Sequence, residues 1–263
     1  MNKNSNLPKI VSIITICKNS AKTITKTIES VLSQRCEGLE YIIVDGNSND
    51  GTQAIIKSFG KDIDIFISEP DEGIADAFNK GIALSSGEII GIINSDDVLL
   101  QGVINRILTY FTTHPDTEVI HGDVLLYNDA NFIKRIKPPK FWWLPWRLIL
   151  FNHPATFVRK HVYQQHGVFS KDYKLGMDYD LFLRWQRAGV RISYLSEPLA
   201  KMQTGGVGAQ YPLLSLAENR RALLKNGYPR LLVEPLVELQ CLLRFAVQRI
   251  VTIQNFCRYI TKK

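Results

Sequence analysis

Between residues 9 and 111 the apolar positions switch back and forth between two periods. The runs KIVSIITI (9–16), EYIIVD (40–45), DIDIFIS (62–68) and EIIGIIN (88–94) are short, β-branched and almost unbroken in apolar character. That is the pattern of strands buried on both faces. Between the runs the spacing becomes helical. Ile24, Ile28, Val31 and Leu32 share one face of a helix that Asn19 or Ser20 can cap. Ala54, Ile55 and Phe59 mark a second helix, Ile74, Phe78 and Ile82 a third over 73–85, and a fourth runs over 99–111. Strands that alternate with helices predict a parallel sheet covered on both faces. In such sheets ligands bind beyond the carboxyl ends of the strands.

After this stretch the pattern is less regular. TEVIHGDVLLY (117–127) and NFIKRIKP (131–138) predict antiparallel strands joined by Asn128-Asp129. The loop PPKFWWLPW (138–146) and NHPATFVRK (152–160) follow. GMDYDLFLRWQRAGV (176–190) predicts a helix with Leu181 and Trp185 on one face and Gly189 as its stop, and RISYLSEP (191–198) another strand. The expected fold class is α/β, a mostly parallel central sheet with helices on both faces and a mixed second half. Residues 1–228 are expected to form the main domain, its halves meeting at about 115. Residues 229–263 are expected to form an amphipathic helical tail, apolar along Leu232, Leu236, Leu239, Leu243, Val247 and Ile250.

Composition changes this picture little. A chain of 263 residues that is 45% hydrophobic and 22% charged is globular rather than disordered. Its four cysteines form no CxxC pair and its five histidines no zinc spacing. A disulfide framework is therefore not expected, and a reducing compartment is. The N-terminus, MNKNSNLPK, lacks the apolar core of a signal peptide, so a cytoplasmic location is expected.

Charge changes it more. The formal net charge is +7, and residues 229–263 hold six basic residues against two acidic ones, a surplus of four. Charges interrupt the tail too often for a spanning helix of about 20 apolar residues. A cationic amphipathic helix lying on a membrane surface suits it better. Packing on the main domain, or against a second subunit in a homodimer, explains its apolar face equally well. Nucleic acid is not expected as a partner, since no reading module is recognisable. A dinucleotide cofactor is disfavoured because no GxGxxG follows the first strand.

The chemistry sits at the strand ends. Lys18-Asn19, Asp45-Gly46, Glu69-Pro70-Asp71 and Ser95-Asp96-Asp97 each follow a strand and should converge on one edge. Asp96 and Asp97 are adjacent like charges. A hard cation, Mn2+ or Mg2+, takes oxygen ligands from one or two carboxylates plus substrate phosphates; a helix cap beside a solvated carboxylate is the alternative. In VDGNSNDGT (44–52), Asp45 can accept hydrogen bonds from a base or ribose while Asp50 caps the next helix. In SEPDEGIADAFNKGI (68–82), Asp71, Asp76 and Asn79 occupy another strand-end region, the last two on one helix face.

Taken in order, ITICKN, VDGNSNDGT, SEPDEGIADAFNKGI and INSDD resemble the motifs of the family-2 glycosyltransferases, which have the GT-A fold. The third is most similar to the bacterial branch that builds surface polysaccharides such as colanic acid and O-antigen. The resemblance runs from about Val11 to Ala200. It implies an inverting, divalent-metal-dependent transfer from a nucleotide-diphosphate sugar to an acceptor hydroxyl. A glycan or lipid-linked acceptor would place the enzyme on the inner face of the plasma membrane. It also implies that Thr15, Lys18 and Asn19 lie at the nucleotide-binding end of the first strand. By the same resemblance Asp45 contacts the base, Asp76 and Asp96 belong to the donor site, and Asp97 is the direct metal ligand. GMDYDLFLRW resembles the family's E-D-Y-D-L-W-L-R helix and implies Asp178 as general base, with Asp180 second in line. His153 and Trp143, the latter with Trp142 and Trp146, fall on the acceptor side, and TGGVGA (204–209) where the family has a mobile loop.

There are departures. Asn94 stands where the family often has Asp, and Met177 where it has Glu. For Asp178 the plain alternative is a favourable charge at a helix N-terminus. For His153 and the tryptophans it is packing. For the whole chain it is a catalytically inactive member that binds sugar nucleotide or acts as a scaffold.

Overall fold

A computed structural model of the chain describes residues 10–128, 131–138, 152–206 and 210–242. Trp142, Trp143 and Trp146, the end of TGGVGA and the tail past residue 242 lie outside the described residues. The first half builds β1 (Val11–Cys17), β2 (Leu39–Asp45), β3 (Ile65–Ser68) and β4 (Ile89–Asn94). Between and after them run α1 (Ile24–Leu32), α2 (Thr52–Ser58), α3 (Ile74–Leu84) and α4 (Val103–Thr113). β1 pairs in parallel with β2 and with β4, and β3 pairs in parallel with β2. The register sets Cys17 opposite Asp45 and Ile16 opposite Asn94. The central strands therefore end level, and the loops after them share one rim.

The second half adds β5 (Val98–Leu99), β6 (Val119–Asn128), β7 (Asn131–Ile136), β8 (Thr156–Arg159) and β9 (Ile192–Gln203). Its helices are α5 (Lys160–His166), α6 (Met177–Arg187) and α7 (Pro212–Lys225). One sheet results, in the order β3-β2-β1-β4-β8-β6-β9-β5, with β7 paired to β6. β8 runs antiparallel to both β4 and β6, which joins the parallel half to the mixed half. This is the expected α/β class.

Three boundaries differ from the sequence pattern. The helix expected from Leu99 begins at Val103, because Val98 and Leu99 pair with Lys201 and Ala200 of β9. The strand expected to stop at 198 continues to Gln203, carried by its pairing with β6. The third strand is confined to Ile65–Ser68, after a short 3-10 turn over Gly60–Asp62. The pattern also missed α7. Buried Glu218 and Asn219 sit between its buried Leu216, Ala222 and Leu223 and break up the apolar stripe.

Alternation along the strands fills both faces of the sheet. Ile14, Ile42, Ile90 and Ile92 pack beneath α3 and α6, while Ile13, Ile43, Ile89 and Ile93 pack against α1 and α4. α3 lies so close to β1 that a Cβ on Gly81 would come within 2.4 Å of the Ile14 Cγ2. A last helix, α8, spans 230–242. Val233 and Val237 seat it in the same layer as Leu216 and Leu223 of α7, and the Arg220 guanidinium grips Glu234. Its other side leaves Leu231 89% exposed, with Leu232, Leu239 and Leu242 also exposed. Among the described residues no helix is long and apolar enough to cross a membrane.

Candidate functional site

The loops beyond β1, β2 and β4 are stitched together before any ligand is considered. Asn19 holds a left-handed backbone (φ 51°). Its N–H donates to the Ser48 Oγ at 2.7 Å and its Oδ1 accepts from the Asn49 N–H at 3.0 Å. Asn19 thus ties the first loop to the second rather than capping α1, which starts only at Ile24. The Ser20 N–H donates to the Thr52 Oγ1, and the Ser20 and Ser95 hydroxyls share a hydrogen bond of 2.7 Å. Asp50 accepts from the N–H groups of Ala21 and Thr52, so it braces the start of α2 as well as the first loop. From α1 the Thr27 hydroxyl donates to the Asp97 carbonyl at 2.7 Å.

Gly46 makes one approach possible. A Cβ there would stand 2.0 Å from the Asp71 Oδ2, so the Asp71 carboxylate keeps its place over the end of β2 only beside a glycine. Asp71 then lies 3.7 Å from the Lys18 Nζ. Above this rim opens a cleft of about 1440 Å³. Its lining includes Lys18, Asn19, Asp96 and Asp97 from the strand ends together with His153 and Asp178 from the second half. Residues far apart in the chain therefore meet in one cavity.

Asp97 is 2% exposed, and burial, with Asp96 beside it, pushes its carboxyl up to about 8. The Asn94 amide and a backbone N–H from Gln203 act in the opposite direction without cancelling this. Among the described residues no basic side chain forms an ion pair with either carboxylate. A buried carboxyl that holds its proton for want of a counter-charge, with a second carboxyl beside it at a cavity wall, suits a divalent metal completed by substrate oxygens. Among the described residues no group of three or more metal-ligating side chains is assembled, so the protein's share of such a site is small.

Asp178 stands in the first turn of α6, half-buried, and its Oδ1 accepts from the Tyr179 N–H at 2.8 Å. Burial raises its carboxyl above the ordinary range. His153 lies stacked on Phe78, centroids 4.6 Å apart, and edge-on to Phe169. Burial drives its imidazole down to about 4, so it is neutral at physiological pH. Its Nε2 has no hydrogen-bond partner among the described residues.

Four of the expected site residues do not line the cleft. Thr15 is buried within the sheet with its hydroxyl on the Tyr41 hydroxyl, 3.0 Å away. Asp45 is fully buried. Its Oδ2 accepts from the Ser68 hydroxyl at 2.6 Å and the Ser48 N–H at 3.0 Å, and its Oδ1 from the Ser48 hydroxyl and the Cys17 thiol. A direct contact with a base would require some of these bonds to open. Asp76 is held by Lys80 at 3.2 Å and Lys171 at 3.3 Å. Asp180 is 2% exposed and is shared by Arg184 at 3.0 Å and the Asn226 amide at 3.1 Å, which binds α6 to the end of α7. Trp143 lies outside the described residues.

Among the cleft residues that the sequence reading passed over are Lys134, Gln203 and Asn219. Lys134 comes from β7, whose alternation puts Phe132, Lys134 and Ile136 on one side. That signal was present, but which side faces the cleft was not readable.

The sequence model of glycosyl transferase family 2 matches residues 12–176. The chain is similar to a "PGL/p-HBAD biosynthesis glycosyltransferase" found in Mycobacterium bovis and Mycobacterium tuberculosis. The identity is 27% over 183 residues, which is 66% of this chain and 68% of the relative. It is 25% identical over 214 residues to an uncharacterized glycosyltransferase of Haemophilus influenzae, covering 75% of this chain and 66% of that protein. Among solved structures, S. aureus TarS 1-349 in complex with UDP-GlcNAc superposes with a TM-score of 0.66 at 16% identity, covering 87% of this chain and 70% of that one. Mannosyltransferase PcManGT from Pyrobaculum calidifontis, in complex with GDP-Man and Mn2+, gives 0.66 at 16%, covering 88% and 68%. The chain belongs to glycosyl transferase family 2 and has the GT-A fold.

Proposed function

We propose that the chain is an active, inverting glycosyltransferase that moves a hexosyl unit from a nucleotide-diphosphate sugar to an acceptor hydroxyl. The acceptor we propose is a lipid-linked glycan of a bacterial surface polysaccharide of the O-antigen type. The observation that carries this reading is that Asp97 and Asp178, delivered by the end of β4 and the start of α6, line one cleft. The nucleotide sugars bound by the two structural neighbours, and the Mn2+ bound by one of them, support it.

Asp97, with Asp96 beside it, would hold Mn2+ or Mg2+. When bound, such an ion supplies charge neutralisation for the departing diphosphate. Lys18 and Asn19 line the same cleft, where a cation and an amide would meet phosphate oxygens. Asp45 would act through Ser48 and Ser68, stiffening the loop that meets the base. Asp76, tied to Lys80 and Lys171, would fix the start of α3 beneath the donor.

Asp178 would take the proton of the attacking hydroxyl. A carboxyl whose proton affinity is raised by burial is a better base than an exposed one. The Tyr179 N–H keeps one of its oxygens occupied and aims the other. His153, neutral and with an open nitrogen, would accept or donate a hydrogen bond to the acceptor. The exposed leucines of α8 and the basic residues after it fit a surface that rests on anionic lipid.

The test is direct. UDP and GDP are titrated against the protein with and without Mn2+, alongside Asp97→Ala. Ion-dependent affinity that disappears in the variant is the expected result; an affinity indifferent to the ion in both proteins overturns the metal assignment. Nucleotide release from UDP- and GDP-sugars separates an active enzyme from an inactive binder.

A further inference from the structure

We infer that Glu218 of α7 is a positioning residue for the reaction, holding the N-terminus of α6 so that Asp178 points into the cleft. This rests on the reading of Asp178 as the base. Glu218 is 8% exposed, an unusual place for a carboxylate with no ion pair among the described residues. Three consecutive backbone N–H groups occupy it. Lys174 donates to Oε1 at 2.9 Å, and Leu175 and Gly176 donate to Oε2 at 2.7 and 2.8 Å. These residues lead directly into α6, whose first residues are Met177 and Asp178.

The N-terminus of a helix leaves donors unsatisfied and carries partial positive charge. α6 has no side-chain cap of its own, since Gly176 occupies the cap position. Asp178 and Asp180 put charge in the first turn, and Glu218 supplies from another helix the side-chain acceptor for the backbone N–H groups that lead into it. It stabilises the turn just before Asp178 and fixes the helix in rotation. The fit is close. A Cβ on Gly176 would come 3.0 Å from the Glu218 Cβ and 3.3 Å from the Asn219 Oδ1, and Asn219 itself lines the cleft. α7 therefore presses on α6 at the point where Asp178 enters the site.

Hydrogen bonds to a charged group contribute more than neutral ones, and a misplacement of about 1 Å at a reacting group can cost about a hundredfold in rate. In Glu218→Gln the amide NH2 must face one or more of these N–H donors. The expected result is a kcat lower by about ten- to a hundredfold with KM for the donor within about twofold of wild type. Amides 174–176 should also exchange hydrogen faster. The assay follows nucleotide release from UDP-GlcNAc and GDP-mannose by the full chain, with amide exchange read in the same samples. Should Glu218→Gln not fold, Gly176→Ala carries the test, because its Cβ pushes α6 away from Glu218 and predicts the same kcat-selective loss.

Asp178→Asn is measured in parallel. If it is inactive while the folded Glu218 variant keeps wild-type kcat or loses kcat only in proportion to its folded fraction, the positioning role is overturned and the base reading stands. If Asp178→Asn keeps full activity, the base reading fails first and takes this inference with it. Unchanged exchange at 174–176 in folded Glu218→Gln also overturns the inference.

Discussion

The Asn94 amide donates to the Asp97 Oδ2 at 3.2 Å, so the residue that departs from the family's usual carboxylate serves the carboxylate that remains. Asn94→Asp would replace this donor with a third carboxyl beside Asp96 and Asp97. Without added cation the variant should melt lower than wild type, because like charges in a partly buried loop repel. With Mn2+ the rise in melting temperature should be larger than for wild type, since ligands that favour the native state stabilise it. Thermal melts at several Mn2+ concentrations read both effects. An equal rise in both proteins would count against the metal reading.

The pH dependence follows from Asp97. Its carboxyl is raised to about 8 in the folded chain, well above the unfolded value near 4, so the native state binds the extra proton between those limits. In the absence of divalent cation, stability from this group is present at low pH and is lost as pH rises from about 4 towards about 8. Cation binding needs the deprotonated group, so affinity for Mn2+ should fall as pH drops below about 8, with proton release on binding. Calorimetry in buffers of different ionisation enthalpy measures the protons released. A value near zero at pH 7 would remove Asp97 as the ligand.

Asp178 and Asp180 are two residues apart and should behave differently. Asp178→Asn should keep donor binding and lose about a hundred- to ten-thousandfold in transfer rate, the range for a general base. Asp180→Ala leaves the Arg184 guanidinium and the Asn226 amide without their partner and should cost about 3–5 kcal/mol of stability. Denaturant melts and single-turnover transfer distinguish them. A stable, inactive Asp180 variant would reverse the two roles.

Gly46→Ala forces its Cβ into the Asp71 carboxylate. The expected result is a loss of about 1–3 kcal/mol, typical of overpacking, with weaker nucleotide binding as the Lys18–Asp71 contact opens. Wild-type UDP and GDP affinity in this variant would show that the loop over β2 is not part of the nucleotide site.

Leu239→Glu with Leu242→Glu places charge on the exposed side of α8, away from Val233 and Val237. Stability should hold, while sedimentation with vesicles containing anionic lipid should fall. Equal binding by wild type and variant would exclude this face from membrane contact.

Much of the architecture was legible because it is a local pattern. β-Branched runs such as VSIITIC and LEYIIVD have no stable place except a buried parallel strand, and helical spacing in between supplies the cover. That alone put Lys18, Asp71 and Asp97 at strand ends, and so on one rim. Where each side chain points was not legible. Asp45 follows the same strand-end rule as Asp97, yet it is consumed by Ser48, Ser68 and Cys17 while Asp97 reaches the cavity wall. Asp180 is the same residue type as Asp178 two positions on, but only the packing of Arg184 and Asn226 ties it into the structure. Glu218 lies 40 residues beyond Asp178 in the chain and shares no motif with it. Composition and period are properties of neighbouring residues, so the sequence by itself determined the sheet, its helices and the rim. Partner choice among polar groups depends on distances across the fold, so only the tertiary structure decided which carboxylates are tied down and which face the cleft.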